Sequence, residues 1–305
     1  VLGAWGTSGG AADLDGDGSL EVFVGGRVIP GRYPEPAASF VLNAAAGRLT
    51  VRQRIDALGL ASGSCFSDLD GDGDPDLIVA REWASPAFLR NDGGRLVEWK
   101  VPVHVGGHPV PESALHGWWN GVVAGDFDSD GRMDLALSNW GRNTAWQASP
   151  AAPCRFLYGD LGSGGVDLFE TRVDSLDQRE WPVRELPMLR MVLPQLADRF
   201  TSHAAYADAD TSTVLGDAMG RLARVEATML DSVVLLNRGD HLDLRPLPAL
   251  AQRSPAFGLC VADADGDGRE DLFLAQNWSS SHPMQQRNDA GRGLWLLGDG
   301  QGGFL

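Results

Sequence analysis

One pattern recurs four times without a gap and limits what this chain can fold into. The copies are DLDGDGSLEVFV from Asp13, DLDGDGDPDLIV from Asp68, DFDSDGRMDLAL from Asp126 and DADGDGREDLFL from Asp263. Each has carboxylates at positions 1, 3, 5 and 9 and glycine at position 6. Small or apolar residues precede each copy and an apolar run follows, which predicts a strand, an acidic loop and a second strand. A later signature adds a hairpin: FVLNAAAGRLTV, FLRNDGGRLVEW, VLLNRGDHLDLR and LWLLGDGQGGFL each place a Gly-containing turn between apolar strands. Repeats of such four-stranded units stack into an all-β propeller, blade after blade.

The first three loops are evenly spaced, and a gap more than twice as long precedes the fourth. Within it, Asp160-Leu-Gly-Ser-Gly-Gly-Val-Asp167 keeps the outer carboxylates but lacks those at positions 3 and 5. The stretch from about 180 to 230 has apolar residues at helical spacing, with Thr211, Ser212 or Thr213 as the N-cap. The expectation is therefore five blades, at about 1–54, 55–103, 104–153, 154–250 and 251–305, with a helical insertion inside the fourth.

Four carboxylates on a nine-residue loop repel one another unless a cation lies between them. The 1-3-5 spacing puts alternate side chains on one side of a curled loop, glycine at 6 allows the turn, and position 7 offers its backbone carbonyl. The expected ligand sets are Asp13, Asp15, Asp17, Ser19 and Glu21; Asp68, Asp70, Asp72, Asp74 and Asp76; Asp126, Asp128, Asp130, Arg132 and Asp134; and Asp263, Asp265, Asp267, Arg269 and Asp271. All are oxygen donors, which select a hard cation, and flexible geometry favours Ca²⁺. An EF-hand would need Glu at position 12, where Val24, Val79, Leu137 and Leu274 stand. Four divalent ions would halve the formal net charge of −16. That acidity argues against nucleic acid or anionic lipid as partner, and no apolar run is long enough for a membrane-inserted helix.

The loops resemble those of FG-GAP or VCBS repeats, as in integrin α-subunit propellers. FVGGRVIPGRYPEPA, GWWNGVVAGDFDSDG and LLNRGDHLDLRPLP are similar, in order, to segments of the cartilage acidic protein-like (ASPIC-type) bacterial group. The resemblance implies a seven-bladed, extracellular, calcium-binding propeller. It also implies two further blades before Val1, so the five visible ones read as a fragment or as a ring completed from elsewhere. The degraded loop at Asp160 departs from the pattern. No apolar signal segment precedes Val1, so the export route cannot be read.

In such a blade the second strand ends on the face away from the metal, after about six residues or ~20 Å. The exits GGRVIPGRY, AREWAS, SNWGRNT and AQNWSSS carry Arg81, Trp83, Asn139, Trp140, Asn277 and Trp278 there, a mixture suited to a protein or glycan ligand. The rival reading packs these tryptophans between blades. Arg238-Gly239-Asp240 reads as a hairpin turn, and Asp208 with Asp210 is not a metal site. Cys65, Cys154 and Cys260 read as small buried residues.

An enzyme would need acid–base groups converging in the funnel. His104, His108 and His116 are the one local histidine group in the sequence, and VHVGGHPVP lacks the helical alignment an i, i+4 pair requires. No catalytic residue is assigned. The expected function is a secreted, cell-surface or periplasmic binding module. A carbohydrate-active lyase or dehydratase, and a subunit of an extracellular assembly that supplies the missing blades, are the alternatives.

Overall fold

Apolar residues alternate or run on beside each acidic loop, so each loop returns the chain antiparallel to itself. In the computed structural model, which describes residues 5–45, 47–279 and 287–305, this happens four times. Trp5–Ala12 pairs with Glu21–Val28, Leu60–Ser67 with Asp76–Ala84, Gly121–Gly125 with Asp134–Ser138, and Ala256–Ala262 with Asp271–Gln276. The hairpin signatures add outer strands. Ser39–Ala45 and Arg48–Ile55 complete the first sheet, and Ala87–Asn91 and Leu96–Trp99 extend the second. Leu294–Leu296 extends the fourth repeat sheet, with a further bridge between Gly298 and Phe304. The described residues are mostly β and form five sheets.

The third repeat sheet corrects the expected boundaries. Its outer strands are Val233–Asn237 and Leu242–Pro246, with Leu135 opposite Leu235 in register. The sequence reading put this hairpin in a fourth blade of 154–250. Burial explains the difference: Val233, Leu235, Leu242 and Leu244 share one core with Leu135, Leu137 and the second sheet's Ile78 and Phe88. Residues 139–232 are thus an insertion between the second and third strands of one sheet.

The insertion folds on its own sheet, in the order Glu180–Pro182, Asp167–Val173, Cys154–Gly159, Ala223–Ala227. Helices at Leu186–Val192, Leu196–Arg199, His203–Ala207 and Thr211–Leu215 cover Leu157 and Phe169 with Leu186, Leu196 and Val214. The last helix is capped by Asp210, which accepts from Thr213 N–H at 2.8 Å, not by Thr211, Ser212 or Thr213. That bond gives Asp210 a structural use.

Neighbouring repeat sheets meet face to face. Phe23 and Val41 of the first pack on Leu77 and Val79 of the second. Ala136 and Val234 of the third pack on Leu272 and Leu274 of the fourth. The inner strands approach through small residues: a Cβ on Gly63 would lie 2.7 Å from the Cα of Gly121. Backbone carbonyls at loop position 2 fix the order. Leu14 O accepts from Asn91 Nδ2 at 2.9 Å, Leu69 O from Asn237 Nδ2 at 2.8 Å, and Phe127 O from Gly302 N–H at 3.0 Å.

Two apolar faces stay open at the ends of this series. Leu49 and Val51 are 63% and 61% exposed on the first sheet, and Trp295 is 45% exposed on the fourth, beside Phe273. Cys260 lies opposite Phe273 and is exposed, contrary to the burial expected for it; Cys154 is buried and Cys65 partly buried. Cys65 sits at the equivalent position in the second sheet, but there the third sheet covers it.

Candidate metal centres and the opposing cleft

Each acidic loop is wound around its first carboxylate. Asp13 accepts from Gly16 and Gly18 N–H at 2.8 and 2.9 Å, Asp68 from Gly71 and Gly73 at 2.8 and 3.0 Å, and Asp263 from Gly266 and Gly268 at 2.8 and 3.0 Å. Asp126 accepts from Asp130 and Gly131 at 3.1 and 3.0 Å. Glycine at position 6 has φ between 85° and 96° in all four loops, a left-handed turn that a Cβ would strain. The position 7 residues, Ser19, Asp74, Arg132 and Arg269, donate their N–H to the carboxylates of Asp17, Asp72, Asp130 and Asp267 at 2.7 to 2.9 Å.

Position 9 is buried and ties the loop to the sheet. Glu21, Asp76, Asp134 and Asp271 each accept from the position 2 N–H, at 3.0, 3.1, 3.0 and 2.8 Å. The second oxygen reaches the hairpin: Asp76 accepts from Asn91 N–H at 2.9 Å, Asp134 from Asn237 at 2.7 Å, and Asp271 from Gly298 at 2.8 Å. In the first loop Arg52 takes that place, 3.3 Å from Glu21.

This folding brings carboxylate oxygens to within 4.8 Å of one another in four groups that could hold a metal ion. They are Asp13, Asp15 and Asp17; Asp68, Asp70 and Asp76; Asp126, Asp128 and Asp134; and Asp263, Asp265 and Asp271. Glu21, Asp72, Asp130 and Asp267 stand outside these closest triads. The residues fit a hard cation. Among the described residues Asp128 Oδ1 is buried with no hydrogen-bond partner, an arrangement that costs free energy unless something charged faces it. Burial pushes the Asp134 carboxyl up to about 7, against the hydrogen bonds from Asn237 and Phe127, and the Asp128 and Asp130 charges push it the same way. Burial raises Asp70 too, with the charges of Asp72 and Asp68 adding. A cation among these groups reverses each repulsion.

The decayed loop keeps the tie and loses the cluster. Leu161 N–H donates to Asp167 at 2.8 Å, and Asp160 accepts from Gly162 and Gly164 at 2.7 and 3.1 Å. Gly162 and Gly164 stand where the other loops carry carboxylates at positions 3 and 5. The Arg238-Gly239-Asp240 turn joins two strands of the third sheet, as expected, and its Arg238 lies 2.5 Å from Asp128.

At the other ends of the strands lies a cleft of about 1190 Å³ between the repeat sheets and the insertion. Trp140 and Trp278 line it. The other four residues expected on this rim mainly hold backbone or neighbouring rings in place. Asn139 is fully buried, accepts from the N–H groups of Trp118 and Trp140 at 3.0 and 2.8 Å, and donates to Met229 O. Trp83 is buried against Trp118 and Phe156, and its indole donates to Tyr33 at 2.6 Å. Arg81 donates to Ser85 O and Leu58 O, and Asn277 exchanges hydrogen bonds with Gly291. Ser280, Ser281 and His282 lie outside the described residues.

Burial raises the Glu82 carboxyl at the cleft edge, opposed by its pairing with Arg27 and by the hydrogen bond from Tyr33. Trp146, Phe156, Glu170, Arg172 and Arg184 reach the same cleft from the insertion. The sequence reading missed these, because their position depends on which distant strands pair. An asparagine before the hairpin turn repeats in sequence at Asn43, Asn91 and Asn237, and Asn91 and Asn237 make the ties between sheets.

Comparison with known proteins agrees with the loops. Residues 68–137 match the FG-GAP-like repeat family, a span that runs from the second acidic loop through the strand after the third. Cartilage acidic protein 1 of Homo sapiens is 26% identical over 191 residues, covering 61% of this chain and 24% of that protein. The Mus musculus protein of the same name is 27% identical over 177 residues, covering 57% and 23%. The chain thus spans about a quarter of the length of these relatives.

Proposed function

We propose that this chain, which carries FG-GAP-like repeat sequence, is an exported calcium-binding β-propeller. It acts as a structural and interaction module, meeting a protein or glycan partner on the face away from its acidic loops. The observation that carries the reading is the repeated carboxylate triad with the orphaned Asp128 oxygen inside it. Oxygen-only donors on a flexible loop favour Ca²⁺, about four ions in all, and sites without a bidentate Glu fit the millimolar calcium of an extracellular setting. The name of the cartilage relatives points the same way. Among the described residues no helix is long and apolar enough to cross a membrane.

The repeat sheets are consecutive blades in this reading. The open faces at Val51 and Trp295 are where further blades, from this chain or a neighbouring one, would complete a seven-membered ring. No catalytic role is assigned.

Elemental analysis of protein purified without chelator should return three to five Ca²⁺ per chain, and fewer than two would sink the reading. If each ion binds only the folded state, saturation at 100 Kd contributes about 2.7 kcal/mol per site. Stripping calcium should therefore lower the melting temperature by a large step.

A further inference from the structure

The cleft opposite the acidic loops has more room than a small-molecule pocket of roughly 300–1,000 Å³, at about 1190 Å³. Its walls combine three kinds of group. Trp146 of the insertion and Trp278 of the fourth sheet are half-buried, so part of each indole stays accessible. Behind them the rings are locked: Trp118 stacks on Trp140 at 4.3 Å, and Trp83 packs on Phe156 at 4.6 Å. Rigid aromatic walls lose little entropy when a ligand settles on them.

The second kind is fixed polar pairs. Arg27 is held by Glu82, and Arg184 by Glu170 at 2.6 Å. Arg27 and Arg184 keep guanidinium N–H donors beyond those they use, and the partly exposed Glu170 keeps carboxylate lone pairs. Adjacent donor and acceptor groups of this kind match the vicinal hydroxyls of a sugar, while indole faces match its C–H face.

The third is charge balance. Arg27, Arg172 and Arg184 line the cleft with Glu82, Glu170, Asp174 and Glu185, so the site draws neither a polyanion nor a polycation strongly. A chain of net charge −16 also repels acidic polymers at a distance. An extended peptide would seek a free sheet edge. The edge strand Glu180–Pro182, whose Pro182 lines the cleft, ends in that proline, which cannot donate to a new strand.

We propose that this cleft binds a neutral saccharide of more than one ring, with Trp146 and Trp278 as its stacking platforms. The proposal rests on the reading of the chain as an interaction module and names the class of its ligand. The test is titration of the full chain, calcium-loaded, with oligosaccharides from mannan, xylan and β-glucan, followed by tryptophan fluorescence and calorimetry. Oligo-uronides and a set of unstructured peptides serve as comparison ligands. At least one neutral series should saturate, and Trp146→Ala and Trp278→Ala should each weaken it about tenfold, a loss typical of an anchoring aromatic. Trp146 stands on a loop of the insertion, so its variant remains informative if Trp278→Ala melts early. No saturable neutral ligand, saturation by uronides or peptides alone, or undiminished binding by a folded Trp146→Ala would overturn the proposal. Calcium content measured on the same samples separates the outcomes. Loaded protein that binds no sugar defeats only this inference, whereas protein without calcium defeats the propeller reading itself.

Discussion

The loops at Asp126–Asp134 and Asp160–Asp167 share a backbone device and differ in charge. In both, the last carboxylate accepts the N–H of the loop's second residue, Phe127 at 3.0 Å and Leu161 at 2.8 Å. In both, the first carboxylate gathers N–H groups from the turn. The outer carboxylates therefore suffice to fold a loop between two strands, and the inner ones are not needed for that. Asp128 and Asp130 pair with Arg238 and the Arg132 N–H, but their charges also push the buried Asp134 carboxyl up. The comparison separates positions 1 and 9, which fold the loop and also lend carboxylates to the cluster, from positions 3 and 5, which the folding of the loop does not require.

The largest effect expected from that separation is at Asp134. It is fully buried and satisfies the N–H groups of Phe127 and Asn237. Asp134→Ala would leave both donors buried without an acceptor, at about 1–3 kcal/mol each, and would remove a metal ligand as well. Chemical denaturation should show a loss of roughly 3–5 kcal/mol together with one fewer bound ion. Asp128→Asn should cost the ion with much less loss of metal-free stability. Equal damage from both in chelator would break the distinction.

A smaller effect is expected at Asp167. It is partly buried and holds one backbone N–H, so Asp167→Ala should destabilise by about 1 kcal/mol and leave the calcium count unchanged. A lost ion in this variant would show that the decayed loop binds metal after all.

Loop chemistry was legible because it is local. Each ligand set lies within nine residues, and the strands on either side follow from alternation, so Asp13 to Glu21 could be read without knowing any distant contact. The third sheet was not legible for the opposite reason. Val233–Asn237 is an apolar strand that could pair with either of two sheets, and the choice falls to burial against Leu135 and Ile78, far away in sequence. The rim was half legible. Trp140 lines the cleft at the strand exits, but Trp83 packs inward on Phe156, a residue the insertion brings to it. Alternation tells which side of a strand a ring leaves from and not what meets it there.

The smallest expected effect concerns loops that are alike in sequence but not in surroundings. Arg238 places its guanidinium 2.5 Å from Asp128, and Arg52 lies 2.6 Å from Asp15. Among the described residues no arginine pairs with the second loop, Asp68–Asp76, where Asp74 adds a further carboxylate. An arginine in ion-pair contact offers a ligand carboxylate a competing cation, so calcium must displace part of that pairing to bind. The second loop should accordingly fill first and the first and third later. A partly exposed pair of this kind is worth about 1 kcal/mol, which corresponds to roughly fivefold in affinity. Arg238→Ala should tighten calcium at the third loop by about that factor, read by calorimetry in a chain whose other loops are silenced by Asp→Asn changes at position 3. Among the described residues the Arg238 side chain bonds only Asp128 and Asp130 of the third loop, so the melting temperature of the loaded protein should stay within a degree or two. Unchanged or weaker binding in Arg238→Ala would mean that the arginine supports the site instead of competing for it.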